Sequence, residues 1–374
     1  MNSAFSFRFG PCAAVLLLMS RAALAQETTP PVYPAAAPTA TDSATNDSNL
    51  RDKQQFANPS VLGMGPSKGL IVRYERMPRF GVKSSAKVEG LNDFSTDATK
   101  NARLSIKGYI PAWNHPHLKV IVGLSYEREE FQFAQLPTMY ELYDNIENKG
   151  LKSTAAQIAV IRPVDAVHWY LARVKGELSG DYTSGELTRS DYTRFSAEAI
   201  YGWKRSPNFS WGVGFQYGYT FGRLSLYPAV IYNRTFNSRW GVEALAPARV
   251  TVRYNVSPNS LLYAGYTVDG YNYIVRLRRP LARDGQPDKQ VLNTLELRET
   301  EVKFRLRWER ELLSFLWLGA EAGYRYNYAF DAFDRTNADR EKIIDSKFNG
   351  APYAGLELFI TPPRKLLEKA GVRR

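Results

Sequence analysis

Seven basic side chains stand at alternate positions on neighbouring stretches of this chain: Arg253 in RVTVRYNV, Arg276 and Arg278 in YNYIVRLR, Lys303, Arg305 and Arg307 in EVKFRLRWE, and Arg325 in LWLGAEAGYRYNY. Guanidinium and ammonium groups stay charged at neutral pH. Gathered on one surface, they attract anions rather than break bonds. The acids sharing those rows are Glu301, Glu309 and Glu321, so the rows carry a positive excess. A wall of this kind in a water-filled pore sets ion selectivity. The same residues paired with carboxylates would only hold structure together.

Other chemistry is sparse. The three histidines are His115, His117 and His168. His115 and His117 flank Pro116 in a short turn, too few ligands for a closed metal site. His168 begins a strand, and a serine–histidine lipid hydrolase is the minor alternative it leaves open. Cys12 is the single cysteine, so neither a disulfide framework nor thiol catalysis is expected. There is no glycine-rich phosphate loop and no zinc spacing. No enzyme activity and no cofactor are expected.

The basic residues need elements that hold them on one side. In residues 301–309, Val302, Phe304, Leu306 and Trp308 alternate with Glu301, Lys303, Arg305, Arg307 and Glu309. Successive strand side chains point to opposite faces, so this is a strand with one apolar and one charged face. The same period runs through LKVIVGLSY (118–126), FSWGVGFQYGYTFG (209–222), RVTVRYNV (249–256) and LWLGAEAGYRYNY (316–328). In YNYIVRLR it sets Tyr271, Tyr273, Val275 and Leu277 against Asn272, Ile274, Arg276 and Arg278, and the apolar row is read as the outer one. Glycine is frequent on the polar row of 209–222, where Gly212, Gly214 and Gly218 provide either width or room for an insert.

The apolar rows are rich in aromatics, several ladders pass the roughly nine residues that a tilted strand needs to cross hydrocarbon, and the opposite rows have no apolar cover. Short connections near 113–117, 162–165, 205–208, 235–238, 256–259 and 310–313 are interspersed with longer ones at about 91–100, 134–152, 181–189, 279–293 and 331–348. Short turns on one side and long loops on the other are the pattern of outer-membrane barrels. The connections near Gly222 and Ala246–Ala248 are short where long ones are expected. The fold class that follows is all-β, a transmembrane antiparallel up-and-down β-barrel of about 14 strands (about 12 to 16), with 68–91 and 260–279 each one bent strand. A secreted β-sandwich is the rival.

The ends agree with export. Residues 1–25 have the charge, apolar run and Ala-Leu-Ala site of a signal peptide. Residues 26–66, rich in Pro, Ala and Thr, read as a disordered periplasmic leader. The barrel is expected over 67–360 and a basic periplasmic tail over 361–374. The formal charge of +12 belongs mainly to the barrel segment. In an exported chain that favours lipid phosphate or small anionic solutes over nucleic acid as partners. Loop 331–348 contains five acids, which leaves two outcomes: an open lumen whose basic stripe selects anions, or a lumen filled by this loop or the leader, with the stripe in structural ion pairs.

The segment 240–273 resembles a family of uncharacterised bacterial outer-membrane β-barrels known as a domain of unknown function. Glu243-Ala244-Leu245-Ala246-Pro247-Ala248, Tyr254-Asn255, Ser257-Pro258-Asn259 and Tyr263-Ala264-Gly265 carry the resemblance. It implies an outer-membrane location and no substrate. The last strand, PYAGLELFI, is similar to the barrel-assembly signal of such proteins, with Gly355 ahead of Leu358 and Ile360, which makes the assembly machinery an expected partner. The functional expectation is a passive channel or transporter for small solutes, with a basic lumen wall favouring anions. A FadL-like hydrophobic transporter is the rival within transport, and a plugged structural or surface-interaction barrel the alternative outside it.

Overall fold

A computed structural model describes residues 56–87, 91–136, 140–186, 190–282, 291–335 and 340–362. The expected signal peptide, most of the leader and the basic tail after 362 lie outside the described residues. The described part forms an antiparallel sheet of 16 strands that closes on itself. In chain order they are β1 (Leu70–Met77), β2 (Phe80–Ala86), β3 (Phe94–His115), β4 (Leu118–Phe133), β5 (Leu151–Pro163), β6 (His168–Gly180), β7 (Thr193–Ser206) and β8 (Phe209–Gly218). They continue as β9 (Ser225–Thr235), β10 (Trp240–Ala246), β11 (Arg249–Ser257), β12 (Ser260–Ala282), β13 (Val291–Leu313), β14 (Leu316–Asp334), β15 (Lys342–Phe348) and β16 (Ala351–Ile360). One helix, α1 (Glu141–Lys149), lies between β4 and β5.

The first strand pairs with both the last and the third, which closes the ring. Two strands are upward continuations: β2 and β15 prolong β1 and β16, pairing with each other, with β3 and with β14. Sixteen strands less these two leaves 14 staves around the wall. The alternation is read correctly over most of this wall. Leu124, Ile158, Val174, Phe195, Phe215, Leu226, Leu306, Tyr326 and Leu356 all stand exposed on its outer surface. A closed barrel with an apolar outside satisfies its backbone internally and solvates its surface in lipid, so this is a transmembrane barrel.

The wall is uneven. β12 and β13 are 23 residues long, while β10 has 7 and β11 has 9. The hairpins over 219–224 and 247–248 are on the long-loop side, which is why both looked too short in the sequence. Above Thr267 the β11 partner ends, and β12 turns to the end of β6 instead. There the Asp181 N–H donates to Ile274 O (3.0 Å), and Ile274 pairs in parallel with Gly180. A Cβ on Gly180 would sit 2.2 Å from that carbonyl, so only glycine permits the join.

The long-loop end is thereby drawn into a narrower collar of β2 to β6 and β12 to β15. Its interior is apolar. Phe131 and Phe133 of β4, Tyr273 and Val275 of β12, Leu295 and Leu297 of β13, Phe330 of β14 and Phe348 of β15 pack with Leu142, Tyr143 and Ile146 of α1. Tyr143 meets Phe133 edge to face at 5.2 Å and donates its hydroxyl proton to Ser346 Oγ (2.7 Å). The loop between β4 and β5 therefore returns into the barrel and fills it.

Candidate functional site in the barrel lumen

Register decides which of the seven basic residues meet. Across β12 and β13, Tyr263 opposes Arg307 and Tyr271 opposes Glu299, whereas Arg276 opposes Thr294. Opposed residues share a face. Odd-numbered residues of both strands therefore point inward and even-numbered ones outward. Lys303, Arg305 and Arg307 are in the lumen as expected, with Arg253 from β11 and Arg325 from β14. Arg276 and Arg278 are not. They belong to the outer face, and Tyr271, Tyr273, Val275 and Leu277, read as the lipid row, are the inner one. The aromatic content misled because this upper part of β12 lines the apolar collar and not the membrane. Arg278 sits at the rim, 3.5 Å from Asp144 of α1.

The inward bases do not form an unpaired stripe. Arg307 binds Glu309 (2.8 Å), Glu321 (3.3 Å) and Glu357 of β16, and Lys68 joins Glu309 (2.6 Å) to Glu357 (2.9 Å). Higher up, Arg73 of β1 and Arg305 share Glu321, while Lys303 lies 2.9 Å from Glu75 and 3.0 Å from Glu301. At the top of the network Arg103 of β3 holds Glu129 of β4 at 2.6 Å and Glu301 of β13 at 2.5 Å. Arg325 lies 3.2 Å from each of the same two carboxylates. Arg103 also donates to Tyr271 Oη (3.0 Å). β3 and β13 are four strands apart around the ring, so these side chains cross the lumen. Arg103, Glu129, Glu299, Glu301, Lys303 and Arg325 are all at most 5% exposed.

Besides Glu301, Glu309 and Glu321 of the same rows and Glu243 of β10, the acids that neutralise the stripe come from β1, β4 and β16. Their signal is present in VRYERM, where Arg73 and Glu75 alternate with Val72 and Tyr74, and in LSYEREEF, where Glu127 and Glu129 alternate with Tyr126 and Arg128. Only ring closure shows that these strands face β13. The described residues of the acidic stretch 331–348 do not fold onto the stripe. Residues 331–334 complete β14 and 342–348 form β15, where Asp331 and Asp345 oppose each other and both lie near Lys342.

Residues 56–66 are the second departure. The disordered leader was expected to reach residue 66, but Phe56 to Pro66 runs as an ordered strap along the inner wall of the short-turn mouth. Its carbonyls supply the reason. Asn58 O accepts from Ser210 Oγ (3.1 Å), Pro59 O from Asn233 Nδ2 (2.8 Å), Ser60 O from Lys204 Nζ (2.6 Å), and Leu62 O from Thr235 Oγ1 (2.6 Å). Gly63 O accepts from Arg253 and from Asn255 Nδ2 (3.2 Å). Arg253, the first member of the expected stripe, thus anchors the strap and pairs with Glu243 (2.9 Å). Ala57 is fully buried against Trp169, Ile200, Ala229 and Ile231. Two glycines on this wall make room for the ring of Trp169 of β6, on which Ala57 of the strap packs. A Cβ at Gly202 would lie 2.1 Å from the Trp169 ring, and one at Gly212 would meet the same ring at 3.0 Å.

Between strap and collar, on the side of β3 to β8, the inward residues are half-buried and polar. Lys107 opposes Ser125, Gln157 opposes Lys175, and Arg173 opposes Glu198, which opposes Gln216. Arg173 pairs with Glu198, and Lys175 with Glu177 (2.5 Å). The histidines lie at the short-turn end. His168 Nδ1 and Asp165 Oδ2 are 2.7 Å apart within one turn, and His115 stacks on His117, which meets Phe56 of the strap at 4.1 Å. Among the described residues no group of three His, Cys, Asp or Glu side chains is placed to hold a metal. In β16, Gly355 faces inward beside Glu75, while Leu358 and Ile360 face out at 48% and 40% exposure.

Residues 131–359 match the model of a domain of unknown function (DUF6268). A comparison with curated proteins found no match. Among solved structures, the chain is similar to a Pseudomonas aeruginosa FadL homologue at 10% identity and a TM-score of 0.40, covering 79% of this chain and 90% of that one. It is also similar to an outer-membrane channel from Pseudomonas putida F1 (10% identity, TM-score 0.35, 81% and 99% covered). A third is a mutant of the TodX monoaromatic hydrocarbon channel (10% identity, TM-score 0.31, 82% and 93% covered).

Proposed function

We propose, for a chain that belongs to the DUF6268 family, the role of an outer-membrane barrel sealed at rest, with a polar vestibule for small solutes on its periplasmic side. The observation that carries this reading is the buried ion-pair layer that spans the lumen from β13 to β3 and β4. A standing anion pore needs unpaired bases exposed to water. Here Arg103, Lys303 and Arg325 are committed to Glu129, Glu301 and Glu75, and the apolar collar with α1 closes the space above them.

Below the seal, Lys107, Gln157, Arg173, Lys175 and Gln216 are where a small polar solute would first be held. Because the bases there are accompanied by Glu127, Glu177 and Glu198, the vestibule favours polar solutes with little preference for anions. Passage then requires α1 and the side chains beneath it to move. Helix α1 is tied to the rim by Glu141–Arg279 (2.5 Å), Asp144–Arg278 and Lys149–Asp181 (3.2 Å), of which the exposed Asp144–Arg278 pair is the one readily exchanged for water. The long-loop side is taken as the cell exterior, and Gly355, Leu358 and Ile360 as the segment offered to the assembly machinery.

The test is conductance in planar bilayers. The refolded native chain is expected to show no standing conductance. A variant with residues 140–150 replaced by a short Gly/Ser linker, the strap 56–66 deleted and the cross-lumen layer opened by R103S, E129S, E301S and R325S is expected to give discrete steps of weak ion selectivity. Anion-selective steps from the native chain would overturn the sealed reading. A folded, heat-modifiable opened variant that stays silent would remove transport and leave a structural barrel.

A further inference from the structure

On the outer surface of β4 and β5, Arg128 and Lys152 are direct cross-strand partners. Like charges set opposite each other on one sheet face repel, and proteins avoid the arrangement unless something of opposite charge compensates. The local acid is insufficient. Glu130 lies 3.0 Å from Arg128, but it also serves Lys100 of β3 at 3.3 Å. Lys152 donates to the Tyr182 carbonyl (2.8 Å), and Lys149 and Asp181 nearby are paired with each other. Arg76 of β1 joins the same surface, since it opposes Ala102, which in turn opposes Glu130.

The height of this cluster in the wall identifies what would meet it. Further down the same outer faces the surface becomes apolar: Tyr74 on β1 is two residues from Arg76, Leu124 on β4 four from Arg128, and Ile106 on β3 and Ile158 on β5 six from Lys100 and Lys152, exposed at 47%, 64%, 38% and 53%. Two to six residues are about 7 to 20 Å along tilted strands, which sets the cluster at the headgroup level, with long basic side chains able to bend back toward the belt. The cluster is on the long-loop side of the apolar belt.

We propose that Arg76, Lys100, Arg128 and Lys152 form a binding site for the phosphate groups of an anionic glycolipid of the outer leaflet, with its acyl chains along the outer faces of β3 to β5. The occupant is a phosphorylated lipid because the four cations border an apolar surface that a free anion would leave uncovered. It rests on the membrane-spanning fold and on the long-loop side being exterior, and is independent of whether the lumen conducts.

The experiment is native mass spectrometry of the full mature chain in detergent, titrated with bisphosphorylated lipid A, with the same lipid after phosphatase treatment, and with inorganic phosphate. At about a factor of five per surface cation, R128Q/K152Q is expected to weaken binding of the phosphorylated lipid roughly thirtyfold. Arg310→Gln, an exposed cation at the short-turn end, is expected to leave it unchanged. Heat-modifiability on gels confirms that each variant is folded. Lys152→Arg, which keeps the charge, should restore binding if Lys152→Gln alone misfolds. Equal binding of phosphorylated and dephosphorylated lipid, or undiminished binding by a folded R128Q/K152Q, would overturn the site. Competition by millimolar inorganic phosphate without any preference for lipid would reassign it to a free anion and overturn the lipid proposal.

Discussion

Replacing Arg103 by Met tests whether the lumen charges are structural. The guanidinium reaches Glu129 at 2.6 Å, Glu301 at 2.5 Å and Tyr271 Oη at 3.0 Å, and its side chain is 5% exposed while both carboxylates are fully buried. Methionine keeps most of the volume and removes the charge. Glu129 would retain Arg325 and Asn101, and Glu301 would retain Arg325 and Lys303, so neither carboxylate becomes wholly unpaired. Breaking a buried pair from one side costs about 3 to 5 kcal/mol. The retained partners place R103M near the lower limit, about 3 kcal/mol. Urea unfolding in lipid vesicles, followed by tryptophan fluorescence, measures it. Arg278→Met is the internal control: its 3.5 Å contact with Asp144 is between groups 55% and 43% exposed, and surface pairs contribute about 0 to 1 kcal/mol. If R103M unfolds within 1 kcal/mol of wild type, or no more easily than R278M, the cross-lumen network is not what holds the two walls together.

The strap gives a second outcome. Ser210→Ala removes the acceptor for the Trp169 indole N–H (3.1 Å) and the donor to Asn58 O, and is expected to cost about 1 to 3 kcal/mol and to speed proteolysis at 56–66. Gly202→Val places a branched side chain where the Trp169 ring lies; a core overpacked in this way loses about 1 to 3 kcal/mol, read from the melting temperature and a shifted tryptophan emission. A pH dependence is expected at the join of β6 and β12. Asp181, in the loop beyond β6, is pushed up to about 6 by burial, against the pull of Lys149 and Tyr192, with Glu186 adding to the rise; its carboxylate also accepts from the Arg276 N–H (3.1 Å). A carboxyl whose folded value is above its unfolded one adds stability that is complete below about 4 and is lost as pH rises through about 6. Hydrogen exchange at the Ile274–Arg276 join, corrected for its intrinsic pH dependence, should slow between pH 7 and 5. Asp181→Asn should flatten that profile, and an unchanged profile in the variant would contradict the assignment.

The sequence by itself determined the kind of wall. Aromatic-rich apolar rows alternating with polar rows over stretches long enough to cross hydrocarbon favour a sheet closed on itself with lipid outside, and the count of staves follows from the turns. Phe304, Leu306 and Trp308 face out and Lys303, Arg305 and Arg307 face in, as their period alone requires. Period could not show what each inner face meets. Arg103 and Glu301 are 198 residues apart, and their pairing exists only because β1 closes the ring between β16 and β3. The same limit explains the misread upper half of β12. Tyr271 and Tyr273 have the composition of a lipid-facing row, but above the short β10–β11 hairpin the wall narrows, and an apolar side chain is equally well solvated by a collar core. The strap escaped notice because it is held through its carbonyls, which every residue has and no side-chain pattern reports. Alternation is a local property of the backbone and survives in one dimension. Neutralisation, plugging and closure are set by which distant strands become neighbours, and only the folded barrel decides them.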